Sequence, residues 1–151
     1  MTGVILAGGR SIRMGRDKAF LKAGSERLID RQVRLFSALF REVIIVTNRP
    51  LDDLDQPAAI ATDILPGRGA LGGIYTGLFH ATAEQVFFAA CDMPFLNRDF
   101  IAYMIEQATG RDIVVPAPPD GLQPLHAIYS RRCLPVIRAR LERGRLKVTG
   151  F

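Results

Sequence analysis

The chain has 151 residues, 48% hydrophobic and 23% charged, which is enough for one domain with a sizeable core and an ordinary globular composition. Twenty Lys and Arg against 15 Asp and Glu give a net charge of +5, which favours an anionic ligand; with no lysine-rich run and no interleaving of basic and aromatic residues, a nucleic-acid surface is not expected. No apolar run approaches the length of a membrane helix and no basic leader precedes the first apolar segment, so a cytoplasmic protein without a membrane partner is expected.

The elements follow in order. Thr2 to Ala7 is nearly all apolar, as expected of a strand covered on both faces. A glycine-rich, basic loop follows, then a turn at Ala23-Gly24-Ser25. Leu28, Ile29, Val33, Phe36, Leu39 and Phe40 recur at helical spacing and predict a helix over 28–40, with Arg31 and Arg34 off the apolar stripe. Glu42 to Thr47 is a β-branched strand that Asn48-Arg49-Pro50 breaks, and Ala58 to Thr62 is a short strand. A second glycine-rich stretch, Asp63 to Gly73, leads into a helix over 73–82. Gln85 to Ala90 is a strand ended by Cys91-Asp92-Met93-Pro94. Asn97 caps a helix to Gln107, with Asp99 at the positive end of its dipole. Asp112 to Pro116 and Leu125 to Tyr129 are the last strands, and Ser130 caps a final helix to Arg143 that tolerates Pro135 only near its start. Cys91 and Cys133, with no CxxC pair, give neither a disulfide framework nor a zinc site, and fit a reduced compartment.

Alternating strands and helices predict an α/β fold: a single-domain three-layer sandwich, its sheet mostly parallel, with helices on both faces. In such sheets ligands lie beyond the carboxyl ends of the strands. Both glycine-rich stretches and Cys91-Asp92 fall at carboxyl strand ends, which points to one site.

The first loop carries the chemistry. In Leu6-Ala7-Gly8-Gly9-Arg10-Ser11-Ile12-Arg13-Met14-Gly15-Arg16-Asp17-Lys18, bare backbone N–H groups and four cations converge where a phosphate would bind. A Cβ at Gly8 would stand in the phosphate's path or strain a backbone needing positive φ. The spacing fits neither G-x-x-x-x-G-K-[ST] nor G-x-G-x-x-G. Asp92, directly after a buried strand and facing the phosphate loop, is a magnesium-type carboxylate, because that ion takes one or two carboxylates and completes its shell with phosphate and water. Asp63 is either a turn cap or a ligand contact. His126 is as readily a structural hydrogen-bonding hub as a reacting group.

The first loop resembles the L-A-G-G-x-S-x-R-M-G-x-D-K signature of MobA-type molybdenum cofactor guanylyltransferases over its whole length. Cys91-Asp92-Met93-Pro94 is similar to the family's C-D-x-P magnesium motif. Gly67, Gly69, Gly72 and Gly73 resemble its G-P-L-x-G element, with Ala70 in place of the proline. Gln123-Pro124-Leu125-His126-Ala127 resembles its Q-P-L-H-A stretch, where cytidylyltransferases tend to carry G-H-P. The resemblance implies a Rossmann-like nucleotidyltransferase fold. It assigns Leu6, Ala7, Gly8, Gly9, Lys18, Asp63 and Asp92 to the nucleotide, Lys18 and Asp92 to catalysis, Asp92 to Mg2+, and Gln123 and His126 to the acceptor side. The implied reaction joins GMP from GTP to the molybdopterin of the molybdenum cofactor, forming the guanine dinucleotide and pyrophosphate. Cofactor-biosynthesis proteins or acceptor molybdoenzymes are the implied protein partners. The family pattern continues to an Asn-x-Asn-Thr-Pro segment and a last helix, so residues 1–151 are expected to be one nucleotidyltransferase domain lacking that segment. A cytidylyl- or sugar-phosphate nucleotidyltransferase of the same fold, a non-catalytic nucleotide-binding accessory protein and a basic RNA-binding module are the alternatives.

Overall fold

The computed structural model describes residues 1–8, 22–23, 26–49, 51, 54–55 and 57–151. In chain order these form β1 (Thr2–Leu6), β2 (Lys22–Ala23), β3 (Glu26–Arg27), α1 (Leu28–Leu39), β4 (Glu42–Val46), β5 (Ala59–Ala61), α2 (Gly69–His80), β6 (Gln85–Ala90), α3 (Arg98–Gln107), β7 (Ile113–Val114), β8 (His126–Ser130) and α4 (Leu134–Glu142). Six strands make one sheet in the order β5-β4-β1-β6-β8-β7, while β2 and β3 pair as a small hairpin. β1 is parallel to both β4 and β6, β4 is parallel to β5, and β8 runs antiparallel to both β6 and β7. Helices α1 and α3 cover one face through Ile29, Val33, Phe36, Ile101 and Met104. Helices α2 and α4 cover the other through Leu71, Ile74, Leu78, Ile137 and Leu141. The expected three-layer sandwich is thus the observed one, because strands buried on both faces must be roofed by apolar helix faces on each side.

The caps follow the sequence closely. Asn97 accepts a hydrogen bond from the Phe100 N–H at 2.9 Å and starts α3. Ser130 accepts from the Arg132 N–H at 3.1 Å, but it caps a short 3₁₀ turn, Arg131–Cys133, which runs into α4 with Pro135 in the first turn. The strand expected over 112–116 is reduced to Ile113–Val114; its pairing with β8 is extended only by the Asp112 carbonyl, which accepts from Ser130 N–H at 2.7 Å.

The largest departure is α2. The sequence predicts a helix from Gly73, yet it begins at Gly69 and includes Gly72, Gly73 and Gly77. These glycines do not mark a loop. A Cβ at Gly77 would lie 2.6 Å from Phe88 Cε1 and 2.9 Å from Val4 Cγ1, and one at Gly73 would lie 3.1 Å from Leu6 Cδ2. Their bare backbone lets α2 settle directly on β1 and β6, where a side chain would force it away.

At the amino edge of the sheet a polar network holds the strands level. Thr2, opposite Glu42 in the β1–β4 register, donates its hydroxyl to Glu42 Oε2 at 2.5 Å. The Thr82 N–H and hydroxyl both donate to the same oxygen at 3.0 Å. Burial pushes the Glu42 carboxyl upward, but the bonds from Thr2 and Thr82, with the nearby amino terminus, outweigh it and hold the group below the ordinary glutamate value. A folded-state value below the unfolded one means stability present at neutral pH and lost as pH falls through the folded value. Glu42→Ala is expected to cost about 1–2 kcal/mol at pH 7. Denaturant unfolding of parent and variant should converge as pH drops below the ordinary glutamate range; an undiminished difference there would show that the carboxylate charge is not what matters.

Candidate active site

The chain leaves β1 for β4 and β5 on one side, then returns to place β6 on the other side of β1. The carboxyl ends of β1 and β6 are therefore a topological switch point, where open α/β sheets leave a crevice for ligand. Three strands end level there, with Leu6 opposite both Val46 and Ala90. The Ala7 N–H donates to the Val46 carbonyl at 2.9 Å, and the Cys91 N–H donates to the Leu6 carbonyl at 3.1 Å. These bonds carry the strand ladders one residue past the strands, so Gly8 and Asp92 emerge from neighbouring, main-chain-locked ends.

Gly8 is exposed, and the nearest atom to a Cβ added there would be the Val46 carbonyl oxygen at 4.0 Å. Its φ is outside the left-handed region, so the strain half of the expectation does not hold. Among the described residues nothing crowds that position, so a methyl group there is accommodated. Gly8→Ala is accordingly expected to keep parent thermal stability while weakening nucleotide binding. A titration showing parent affinity would take Gly8 off the phosphate path. Gly9, Lys18, Arg10, Arg13 and Arg16 lie outside the described residues.

Asp92 is half-buried in the turn after β6. The turn is closed by Met93 N–H donating to the Ala90 carbonyl at 3.3 Å, and Ala90 N–H in turn donates to the Leu125 carbonyl at 3.1 Å. Among the described residues no group of three or more His, Cys, Asp and Glu could hold a metal. Among the described residues, one hard carboxylate at this crevice does not suit zinc, which draws its ligands from several side chains. It does suit magnesium, which keeps water and takes phosphate oxygens; the residues present fit that ion.

Asp63 sits between β5 and α2 with its Oδ1 engaged. That oxygen accepts from Leu65 N–H at 3.1 Å and from the Thr76 hydroxyl at 3.0 Å, and Thr76 Oγ1 itself accepts from Ile64 N–H at 3.0 Å. The turn-capping role is therefore present; a ligand contact would fall to the other oxygen. Asn48, which the sequence marks only as a strand break, accepts through Oδ1 from Asp63 N–H at 3.1 Å. It ties the ends of β4 and β5 together. A polar residue just past an apolar strand was the available signal.

Gln123 and His126 stand apart from this group. His126 N–H donates to the Gln123 carbonyl at 3.0 Å, and its ring lies edge-on to Phe87 and Phe100 at 5.3 and 5.7 Å. Its Nε2 is buried without a partner among the described residues. Burial lowers its pKa, which keeps the imidazole neutral. Both residues line a cavity of about 730 Å³ between α3 and the β7 edge of the sheet, whose walls include neither Gly8 nor Asp92. The structure thus brings Leu6, Ala7, Gly8 and the Asp92 turn together and leaves His126 one strand away, beside Ala89.

Gly8 and Asp92 beyond adjacent strand ends at a switch point define an α/β protein of the class that takes its ligand in the crevice at the carboxyl ends of the strands. The family model for the MobA-like NTP transferase domain matches residues 3–149. The chain belongs to that family. It is 43% identical over 150 residues to the molybdenum cofactor guanylyltransferase of Desulfosudis oleivorans, covering 98% of this chain and 74% of that one. It is 38% identical over 146 residues to the enzyme of the same name from Syntrophotalea carbinolica, covering 95% and 69%. Among solved structures, a protein of Aquifex aeolicus VF5 superposes with a TM-score of 0.82 at 29% identity, over 98% of this chain and 79% of that one. The molybdopterin-guanine dinucleotide biosynthesis protein A of Archaeoglobus fulgidus superposes at 0.80 with 23% identity, over 99% and 77%, and shares the fold.

Proposed function

We propose that this protein transfers GMP from GTP to the terminal phosphate of a molybdenum-bearing pterin, releasing pyrophosphate and forming the guanine dinucleotide cofactor. The names of its relatives support the guanine and pterin substrates. The observation that carries the site is the Cys91 N–H bond to the Leu6 carbonyl, which fixes the Asp92 turn against the end of the glycine-bearing strand.

An oxygen of the acceptor phosphate attacks the α-phosphorus of GTP, forming a new P–O bond as the bond to pyrophosphate breaks. The attacking oxygen is already anionic, so no side chain need remove a proton. The protein's work is positioning and charge stabilisation. Leu6, Ala7 and Gly8, with Gly9, give the nucleotide a bare backbone to lie against. Lys18 offers charge to the departing pyrophosphate, and Asp63 and Asn48 border the cleft beyond β4 and β5. Asp92 would hold Mg2+, which when bound supplies positive charge to the phosphate oxygens. Gln123 and His126 are assigned to the acceptor, with the neutral His126 ring able to hydrogen-bond but carrying no charge. No helix among the described residues is long and apolar enough to cross a membrane, and both cysteines are buried and outside any disulfide; we place the reaction in the cytoplasm.

Nucleobase choice is tested by thermal shift with Mg2+ and equal concentrations of GTP, CTP and UTP. GTP is expected to raise the melting temperature most, since a ligand that binds only the native state stabilises it in proportion to the logarithm of its occupancy. A larger shift with CTP would make the protein a cytidylyltransferase.

A further inference from the structure

The geometry points to Gln32 as the residue that positions Asp92. Gln32 lies near the amino end of α1, at the carboxyl edge of the sheet, and is 3% exposed. Its Nε2 donates to the Ala90 carbonyl at 3.0 Å and to the Met93 carbonyl at 3.0 Å. Those two carbonyls bracket Cys91 and Asp92. One side-chain amide therefore spends both of its hydrogens on the turn that carries the carboxylate, from a helix about sixty residues earlier in the chain. The amide orientation is set by this chemistry, because the flipped form would press Oε1 against two carbonyl oxygens.

Packing alone does not account for the residue. Ile29, Val33 and Phe36 are the buried α1 residues of the apolar core on this face of the sheet, and a leucine at 32 would join them. Gln32 instead buries an amide whose Oε1 has no partner among the described residues. An unmet buried acceptor is costly, and the return is a further anchor, beside the Cys91 N–H bond to the Leu6 carbonyl, for a turn whose own closing bond from Met93 to Ala90 is long at 3.3 Å. Partners that orient a metal ligand without touching the metal change metal affinity by about 10- to 100-fold when removed. Gln32 acts one step further out, through the Ala90 and Met93 carbonyls that flank Asp92, so its effect belongs at the lower end of that range. The inference rests on the reading of Asp92 as the magnesium ligand.

The test uses Mn2+, a paramagnetic stand-in for Mg2+, titrated into the protein bound to an α,β-methylene analogue of GTP and followed by electron paramagnetic resonance. Gln32→Met keeps the length and burial of the side chain and removes both donors. It is expected to weaken Mn2+ binding by about tenfold, with nucleotide affinity in EDTA within twofold of the parent. Parent Mn2+ affinity in a folded Gln32→Met protein overturns the proposal. Asp92→Asn is measured alongside. If it too binds Mn2+ like the parent, the reading of Asp92 fails and the Gln32 proposal falls with it; if it loses Mn2+ while Gln32→Met does not, only the role of Gln32 is overturned. Should Gln32→Met not fold, the parent itself answers by nuclear magnetic resonance. The Gln32 side-chain amide hydrogens should exchange far more slowly than those of exposed glutamines and broaden when Mn2+ binds the nucleotide complex. Free exchange, or no broadening, overturns the proposal.

Discussion

Asp92→Asn is expected to lower kcat by about 100-fold or more while changing GTP affinity only a few-fold. Removing one preorganised electrostatic group, such as an oxyanion-hole donor, costs on the order of 10²–10³ in rate. The loss falls on kcat because charge on the phosphate oxygens is redistributed in the transition state, where metal-held charge counts most. Asparagine keeps the shape of the side chain, and the turn keeps the Cys91 bond to Leu6 and the Gln32 bonds to Ala90 and Met93. The fold should therefore survive, which a melting curve checks. Steady-state kinetics over a Mg2+ titration read the effect. Parent turnover at limiting Mg2+ would place the metal on other ligands.

Lys18→Ala is expected to weaken GTP binding by about 1.5–3 kcal/mol, the range for a hydrogen bond to a charged group. Lys18 lies outside the described residues, so the prediction rests on its place at the end of the glycine-rich motif that resembles the family signature. A lysine is a compact point charge on a flexible stem, suited to following pyrophosphate as it departs, so kcat should fall as well as affinity. Calorimetric titration with GTP at matched ionic strength measures it, since simple loss of one surface charge would vary steeply with salt. Affinity unchanged in the variant would remove Lys18 from the site.

Much of this architecture is legible in the sequence because each signal is local. The apolar run from Thr2, the β-branched Val43 to Val46 and the stripe from Leu28 to Phe36 announce buried strands and an amphipathic helix through spacing alone. Asn97 marks its helix because capping is decided within three residues. The start of α2 is not legible. Gly69 and Gly72 read locally as a loop, and the close approach of Gly73 to Leu6 and of Gly77 to Val4 and Phe88 exists only once the helix is packed on the sheet. The site divides in the same way. Gly8 and Asp92 stand at strand ends that the pattern predicts, so their meeting follows from the topology. Gln32 is invisible because its partners are 58 and 61 residues away in sequence, and a glutamine beside an apolar stripe reads as the stripe's polar border. Asn48 hides inside a turn signal, and the dual character of Asp63, capping through one oxygen, shows only when Thr76 and Leu65 are in place. His126 has a legible neighbourhood and an illegible environment: its neutrality comes from the Phe87 and Phe100 rings that bury it.

The most direct measurement follows the nucleotide itself. The protein is incubated with α-phosphorus-labelled GTP, Mg2+ and molybdenum-bearing molybdopterin, and label is counted in the pterin dinucleotide fraction while pyrophosphate is assayed in parallel. Guanine dinucleotide and pyrophosphate should appear in equal amounts, depend on the pterin, and be lost in Asp92→Asn. GTP that binds but is never incorporated would contradict catalysis and leave a nucleotide-binding protein, and faster incorporation of label from CTP would contradict the guanylyl assignment.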